Sequence, residues 1–176
     1  MPAQQQAVDV AGNSQRQTFT MTPQDDLVKI LFRYYSNVLE EETVETMWAT
    51  IVDKDKGWYR LDNIPFYGPL VASDDIVLAE YDESEEMLTY RETIEHSGNS
   101  IVQVVLMDKS KDINDIREIF ENLGCLSEKV NDGYFAMEVP FNNDYKAVKQ
   151  KLTELEEGEI IGYAEPCLSE KHGFKS

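Results

Sequence analysis

Histidine and cysteine are scarce here: the chain has two of each, His96, His172, Cys125 and Cys167, in 176 residues. With no C-x-x-C and no H-E-x-x-H, so small a set excludes a closed zinc site of ordinary ligand spacing. Positive charge is scarce as well. Sixteen Lys and Arg stand against 34 Asp and Glu, a formal charge of −18. That imbalance argues against direct contact with nucleic acid or an anionic membrane, since each phosphate would approach against the field. No apolar run nears the roughly 18 residues that cross a bilayer. A glycine-rich phosphate loop, a G-x-S-x-G elbow and an EF-hand pattern are all missing. The first 24 residues have neither a basic leader nor an apolar stretch of signal-peptide type, so a reducing, cytoplasmic setting is expected.

What is present is a core. Apolar residues make up 41% and aromatics 10%, more than a disordered chain of this charge would carry. Residues 1–24, rich in Gln, Ala, Ser and Thr, read as a flexible tail. Residues 25–98 read as a curled β subdomain. Val28–Tyr35, Thr43–Val52, Trp58–Leu61, Ile76–Tyr81 and Met87–Glu95 are β-prone runs parted by the turns Lys54–Gly57 and Asp82–Glu86 and a loop with two prolines, Asn63–Pro69. Five short strands of this kind predict a small antiparallel, barrel-like sheet.

The rhythm changes across residues 99–168. Ile101–Met107 is a continuous apolar strand. Ile113, Ile116, Ile119, Phe120 and Leu123 share one helical face, with Ser110 or Asp112 as N-cap and Gly124 past the end. Asn131-Asp132-Gly133 signals a hairpin between Ser127–Val130 and Tyr134–Val139. Tyr145, Val148, Leu152 and Leu155 mark a second helix closed by Gly158, and Ile160–Ala164 a last strand. The order β-α-β-β-α-β predicts a ferredoxin-like unit joined to the first sheet, an α+β protein overall. Residues 169–176, His172 included, read as a fraying C-terminal tail.

Few residues suggest chemistry. The adjacent carboxylates Asp74-Asp75 and Glu85-Glu86 read as solvated turns, and His96-Ser97-Gly98 as a turn rather than a base beside a nucleophile. No catalytic residue, metal ligand or cofactor is expected. Two segments suggest binding instead. Trp58, Tyr59, Phe66 and Tyr67 surround Asp62 in a short stretch. As structure, Asp62-Asn63 caps the turn and the aromatics close one end of the barrel; as function, Tyr and Trp give large contact area at low entropic cost, and the two readings can hold for different residues. Between Glu80 and Glu95 lie seven acids and one base, Arg91. Asp82, Glu83, Glu85 and Glu86 at its turn are candidates to meet basic groups of a partner, if they are more than a solvated hairpin tip.

The chain resembles an uncharacterised bacterial family, number 4265 among the domains of unknown function. The resemblance rests on Glu45-Thr46-Met47-Trp48, Tyr59–Phe66, Asp74-Asp75-Ile76-Val77, His96–Ser100, Leu123-Gly124-Cys125 and Glu138-Val139-Pro140, and covers most of residues 30–165. It implies one continuous unit and brings no activity with it. In size, charge and lack of catalytic motif the chain also looks like the small acidic immunity proteins that accompany secreted toxins. The expectation is therefore a non-enzymatic acidic protein that blocks a cognate basic toxin, for instance a nuclease. A regulatory or ligand-binding module for another partner is the alternative.

Overall fold

The computed structural model describes residues 26–36, 40–68 and 70–173. The expected tail 1–24 and residues 174–176 lie outside that range.

Nine strands and two helices are formed by the described residues. Strands β1 (Leu27–Ser36), β2 (Glu41–Asp53), β3 (Trp58–Leu61), β4 (Ile76–Asp82) and β5 (Met87–Glu95) make the first sheet. Each pairs antiparallel with the next, and β1 also meets β5 in parallel at Ile30↔Leu88 and Leu31↔Thr89, which closes the sheet on itself. Its inward positions, among them Ile30, Phe32, Met47, Tyr59, Leu61 and Val77, form one buried cluster. The β2–β3 turn is tight at Gly57, whose φ of +71 is open to glycine at little cost, and whose carbonyl accepts the Ala79 N–H at 3.0 Å.

Strands β6 (Ser100–Leu106), β7 (Leu126–Asn131), β8 (Tyr134–Val139) and β9 (Ile161–Cys167) make a second sheet in the order β7-β8-β6-β9. Helices α1 (Ile113–Glu121) and α2 (Tyr145–Glu157) pack on one of its faces. The spacing of apolar residues placed both correctly. Ile113, Ile116 and Phe120 of α1, and Tyr145, Val148, Leu152 and Leu155 of α2, meet Val102, Val104, Phe135 and Met137 in the larger core. Asp112 is the N-cap of α1, accepting the Asn114 N–H at 2.8 Å; Ser110 is held instead by Asp108. Gly124 takes a φ of +87 just beyond the helix.

The opposite face of the second sheet is not free. Ile101 and Ala136 are covered by Ile64 and Ala72 from the β3–β4 connection, with Phe66 and Cys167 alongside. The second sheet is thus covered by the helices on one face and by the β3–β4 connection on the other.

Two expectations need correction. Residues 169–173 do not fray: His172 is 5% exposed, its Nδ1 is 2.7 Å from the Ser100 hydroxyl, and its ring stacks on Tyr145. The apolar face of an imidazole and a buried hydroxyl partner hold the segment down, which its polar sequence conceals. Asp75, expected in solvent, is 1% exposed. Its carboxylate accepts the N–H groups of Ala72 at 3.0 Å and Ser97 at 2.8 Å, which accounts for its burial.

Candidate functional site

The aromatic stretch is a clasp between the sheets. Glu45, half-buried on β2, accepts the backbone N–H groups of Phe66 at 2.6 Å, Tyr67 at 3.0 Å and Gly68 at 2.7 Å. The Asn63 side-chain oxygen accepts the Trp48 N–H at 2.7 Å. From the second sheet, Gln103 at 3.2 Å and the Tyr134 hydroxyl both donate to the Phe66 carbonyl, and the Tyr67 and Tyr134 rings stack with centroids 5.4 Å apart. Burial, with the Glu45 charge behind it, pushes the neighbouring Tyr34 phenol up to about 12.

The candidate residues in this stretch therefore part company. Tyr59 belongs to the core of the first sheet and, at 7% exposure, offers no contact surface. Phe66 is half-buried, packed beside Ile101 and Ala136 of the second sheet. Trp58 is half-buried with Lys56 Nζ 4.5 Å over its ring. Tyr67 keeps 51% of its surface, and Asp62 is exposed beside the seam.

The acidic hairpin is half spent on itself. Asp82 accepts the Ser84 hydroxyl at 2.5 Å and its N–H at 2.9 Å, and pairs with Arg91 at 3.2 Å. The Ser84 hydroxyl, and Arg91 after it, hold the Asp82 carboxyl down at about 2. Arg91 also pairs with Glu80 at 3.2 Å. Glu85 pairs with Arg33 of β1, which lies 3.6 Å from Glu42 as well. Among the described residues Glu83 and Glu86 have no such partner. Arg33 faces Val44 across β1 and β2, and Tyr35 faces Glu42. The ion pair thus ties the hairpin tip to a strand face on which Tyr35, Val44 and Trp48 are exposed. Tyr35, Val44 and Trp48 escaped the sequence reading because a strand pattern alone does not say which face is covered. Among the described residues no hydrogen bond, ion pair or ring contact joins Trp58, Tyr59, Asp62, Phe66 or Tyr67 to the tip.

A third arrangement gave no signal in the sequence. Glu138 of β8 points to the side of the second sheet away from the helices, between Ile101 and Leu126 in register. It is 6% exposed, and among the described residues its carboxyl has no hydrogen-bond or ion-pair partner. Burial, aided by the nearby Asp74 charge, pushes it up to about 7. Glu138 and Asp74 line two adjoining concavities of about 380 and 400 Å³ at the seam of the sheets. Asp74 is held there in a left-handed conformation, φ +66. Ser73 also lines the first concavity, while its hydroxyl is sealed from solvent without a partner among the described residues. Cys125 lies there too, its thiol pushed up to about 12 by burial and then by Glu138, far from a reactive thiolate.

His96, itself exposed, lies 3.5 Å from the buried Asp75, while Ser100 and His172 are both sealed from solvent. Among the described residues no group of three or more His, Cys, Asp or Glu is placed to hold a metal, and no helix is long and apolar enough to cross a membrane.

The described residues thus form an α+β protein of two sheets and two helices. The chain belongs to the family described as Domain of unknown function (DUF4265), whose model matches residues 45–163, from the clasp carboxylate to β9. It is similar to a solved structure, the crystal structure of a hypothetical protein from Neisseria gonorrhoeae, with 25% identity and a TM-score of 0.71 over 81% of this chain and 95% of that one. No curated protein matches.

Proposed function

We propose that this protein is a non-enzymatic acidic binding protein that docks a basic protein through the hairpin tip and the adjoining β1–β2 face. The observation that carries the reading is the Arg33–Glu85 ion pair, which sets Glu83 and Glu86 beside exposed Tyr35 and Val44. Unpaired carboxylates around aromatic and apolar anchors on rigid strands suit an interface whose encounter is steered by charge and whose hold comes from burial. Asp82 and Glu85 serve as braces within the hairpin rather than as contacts. Trp58, Asp62 and Tyr67 are surface-accessible and belong at most to the rim.

The partner class we favour is a cognate basic toxin acting on polyanions, such as a nuclease, blocked in the manner of an immunity protein within the cytoplasm. Complementary charge supports this: a cleft that binds nucleic acid is cationic, and this chain carries −18. The same proposal takes the first sheet as a small barrel and the second half as a ferredoxin-like unit, supported by the parallel β1–β5 contact and by the order β7-β8-β6-β9 with two helices on one face.

The test is recovery of the protein from its native host, identification of what accompanies it, and reconstitution of the complex from purified parts. A basic partner whose affinity falls about tenfold or more on Glu83→Lys with Glu86→Lys supports the reading. A reconstituted complex indifferent to that double reversal sinks it.

A further inference from the structure

The hairpin face leaves the seam unexplained. A carboxyl buried without a donor or a counter-charge is costly, and proteins ordinarily either pair such a group or keep it neutral. Glu138 has neither partner within the described residues, and the Ser73 hydroxyl on the same wall is also buried and unpartnered. Glu138 is thus an acceptor lacking a cation on the open side of the wall, whereas the Ser73 hydroxyl is sealed behind it. The wall they share carries five carboxyl residues and neither lysine nor arginine. Leu61, Ile64 and Leu126 supply apolar surface between them.

We infer that this cleft binds a small aliphatic amine, its ammonium paired with the Glu138 carboxylate, its alkyl chain lying on Ile64 and Leu126. An ammonium has three donors and no acceptor, so it suits a carboxylate that has neither a donor nor a counter-charge. A metal ion is the poorer occupant, because no cluster of three or more ligating side chains is formed among the described residues. A concavity of about 380 Å³ accepts a short chain rather than a folded partner. Asp74, shared by both concavities, is placed to meet a second ammonium at the mouth. A diamine therefore fits better than a monoamine.

Binding is coupled to a proton. Below the raised pKa of about 7 Glu138 holds its proton, which must leave to solvent before the ammonium can pair. Affinity therefore rises with pH between roughly pH 6 and pH 8 while the amine stays charged.

The test titrates the full chain with putrescine at about pH 8, where an ionised Glu138 is favoured, following heat and the Glu138 carboxyl resonance by carbon-13 NMR. Saturable one-to-one binding is expected, with the Glu138 titration midpoint lowered by the ligand. Glu138→Gln should weaken binding about tenfold or more, the loss typical of removing a charged hydrogen-bond partner. Glu83→Gln with Glu86→Gln should leave binding unchanged, and butanediol should not bind. An absence of saturable binding, a Glu138 midpoint unmoved by putrescine, equal affinity in a folded Glu138→Gln protein, or an equal loss in the hairpin variant each overturns the inference. The midpoint measurement uses the wild-type chain and decides the matter even if the variants fold poorly.

Discussion

The Ser100 hydroxyl lies 2.7 Å from His172 Nδ1, although 72 positions separate the two residues. The same hydroxyl accepts the Ser169 N–H at 2.8 Å, and the imidazole stacks on Tyr145. One buried serine at the start of β6 thereby fastens the last described turn of the chain. Ser100→Ala should cost about 1–3 kcal/mol, because it leaves two buried polar groups unmet. Denaturant unfolding against the wild type checks this.

His172 also makes stability depend on acid. Burial holds its pKa below the ordinary value, against the opposing pull of the Pro140 and Asn143 backbone. A depressed folded value means the contribution is full above the unfolded pKa of about 6.5 and is lost as pH falls through the folded one. His172→Phe, which keeps the stack, should flatten the decline of the unfolding midpoint between about pH 6.5 and pH 5.

Glu138 acts in the other direction. Its folded value is raised to about 7, so its contribution is full below the unfolded value near 4.3 and is lost as pH rises through 7. Glu138→Gln should abolish a loss of order 1–3 kcal/mol between about pH 5 and pH 8. A putrescine-saturated wild type should show a smaller loss than the free protein. Midpoints of chemical unfolding across this range provide the check.

The clasp should be fragile at one atom pair. Glu45→Ala removes the acceptor for three backbone N–H groups at once and should cost about 2 kcal/mol or more. Hydrogen exchange at Phe66, Tyr67 and Gly68 should accelerate before exchange in the larger core. Uniform protection across the variant would contradict the role given to Glu45.

At Gly57 an added methyl would stand 2.9 Å from the Ala79 carbonyl oxygen at a φ of +71. Gly57→Ala should therefore destabilise by about 1–3 kcal/mol, combining left-handed strain with a backbone clash. Equilibrium unfolding measures it.

Local order was legible where it rests on local chemistry. The stripes Ile113–Phe120 and Tyr145–Leu155, the Asp112 cap and the Asn131-Asp132-Gly133 turn all fall where their spacing puts them. What was hidden depends on what covers a face. In Tyr134–Val139 the alternation marks Glu138 for the side away from the helices, which an isolated sheet would leave wet. Only the fold-over of Ile64 and Ala72 onto Ile101 covers that side and leaves Glu138 at the wall of a cleft. Glu45 and His172 were missed for the same reason, since their partners lie some 20 and 72 positions away. The hairpin acids were visible as a group, but the chain alone does not say that Arg91 and Arg33 neutralise Asp82 and Glu85 while sparing Glu83 and Glu86.

The most direct test of a charge-steered binding role is the association rate with the purified native partner from about 50 to about 500 mM salt. The rate should fall steeply across that range for the wild type, and start low and change little once Glu83 and Glu86 are lysines. A rate indifferent both to salt and to the reversal would contradict it.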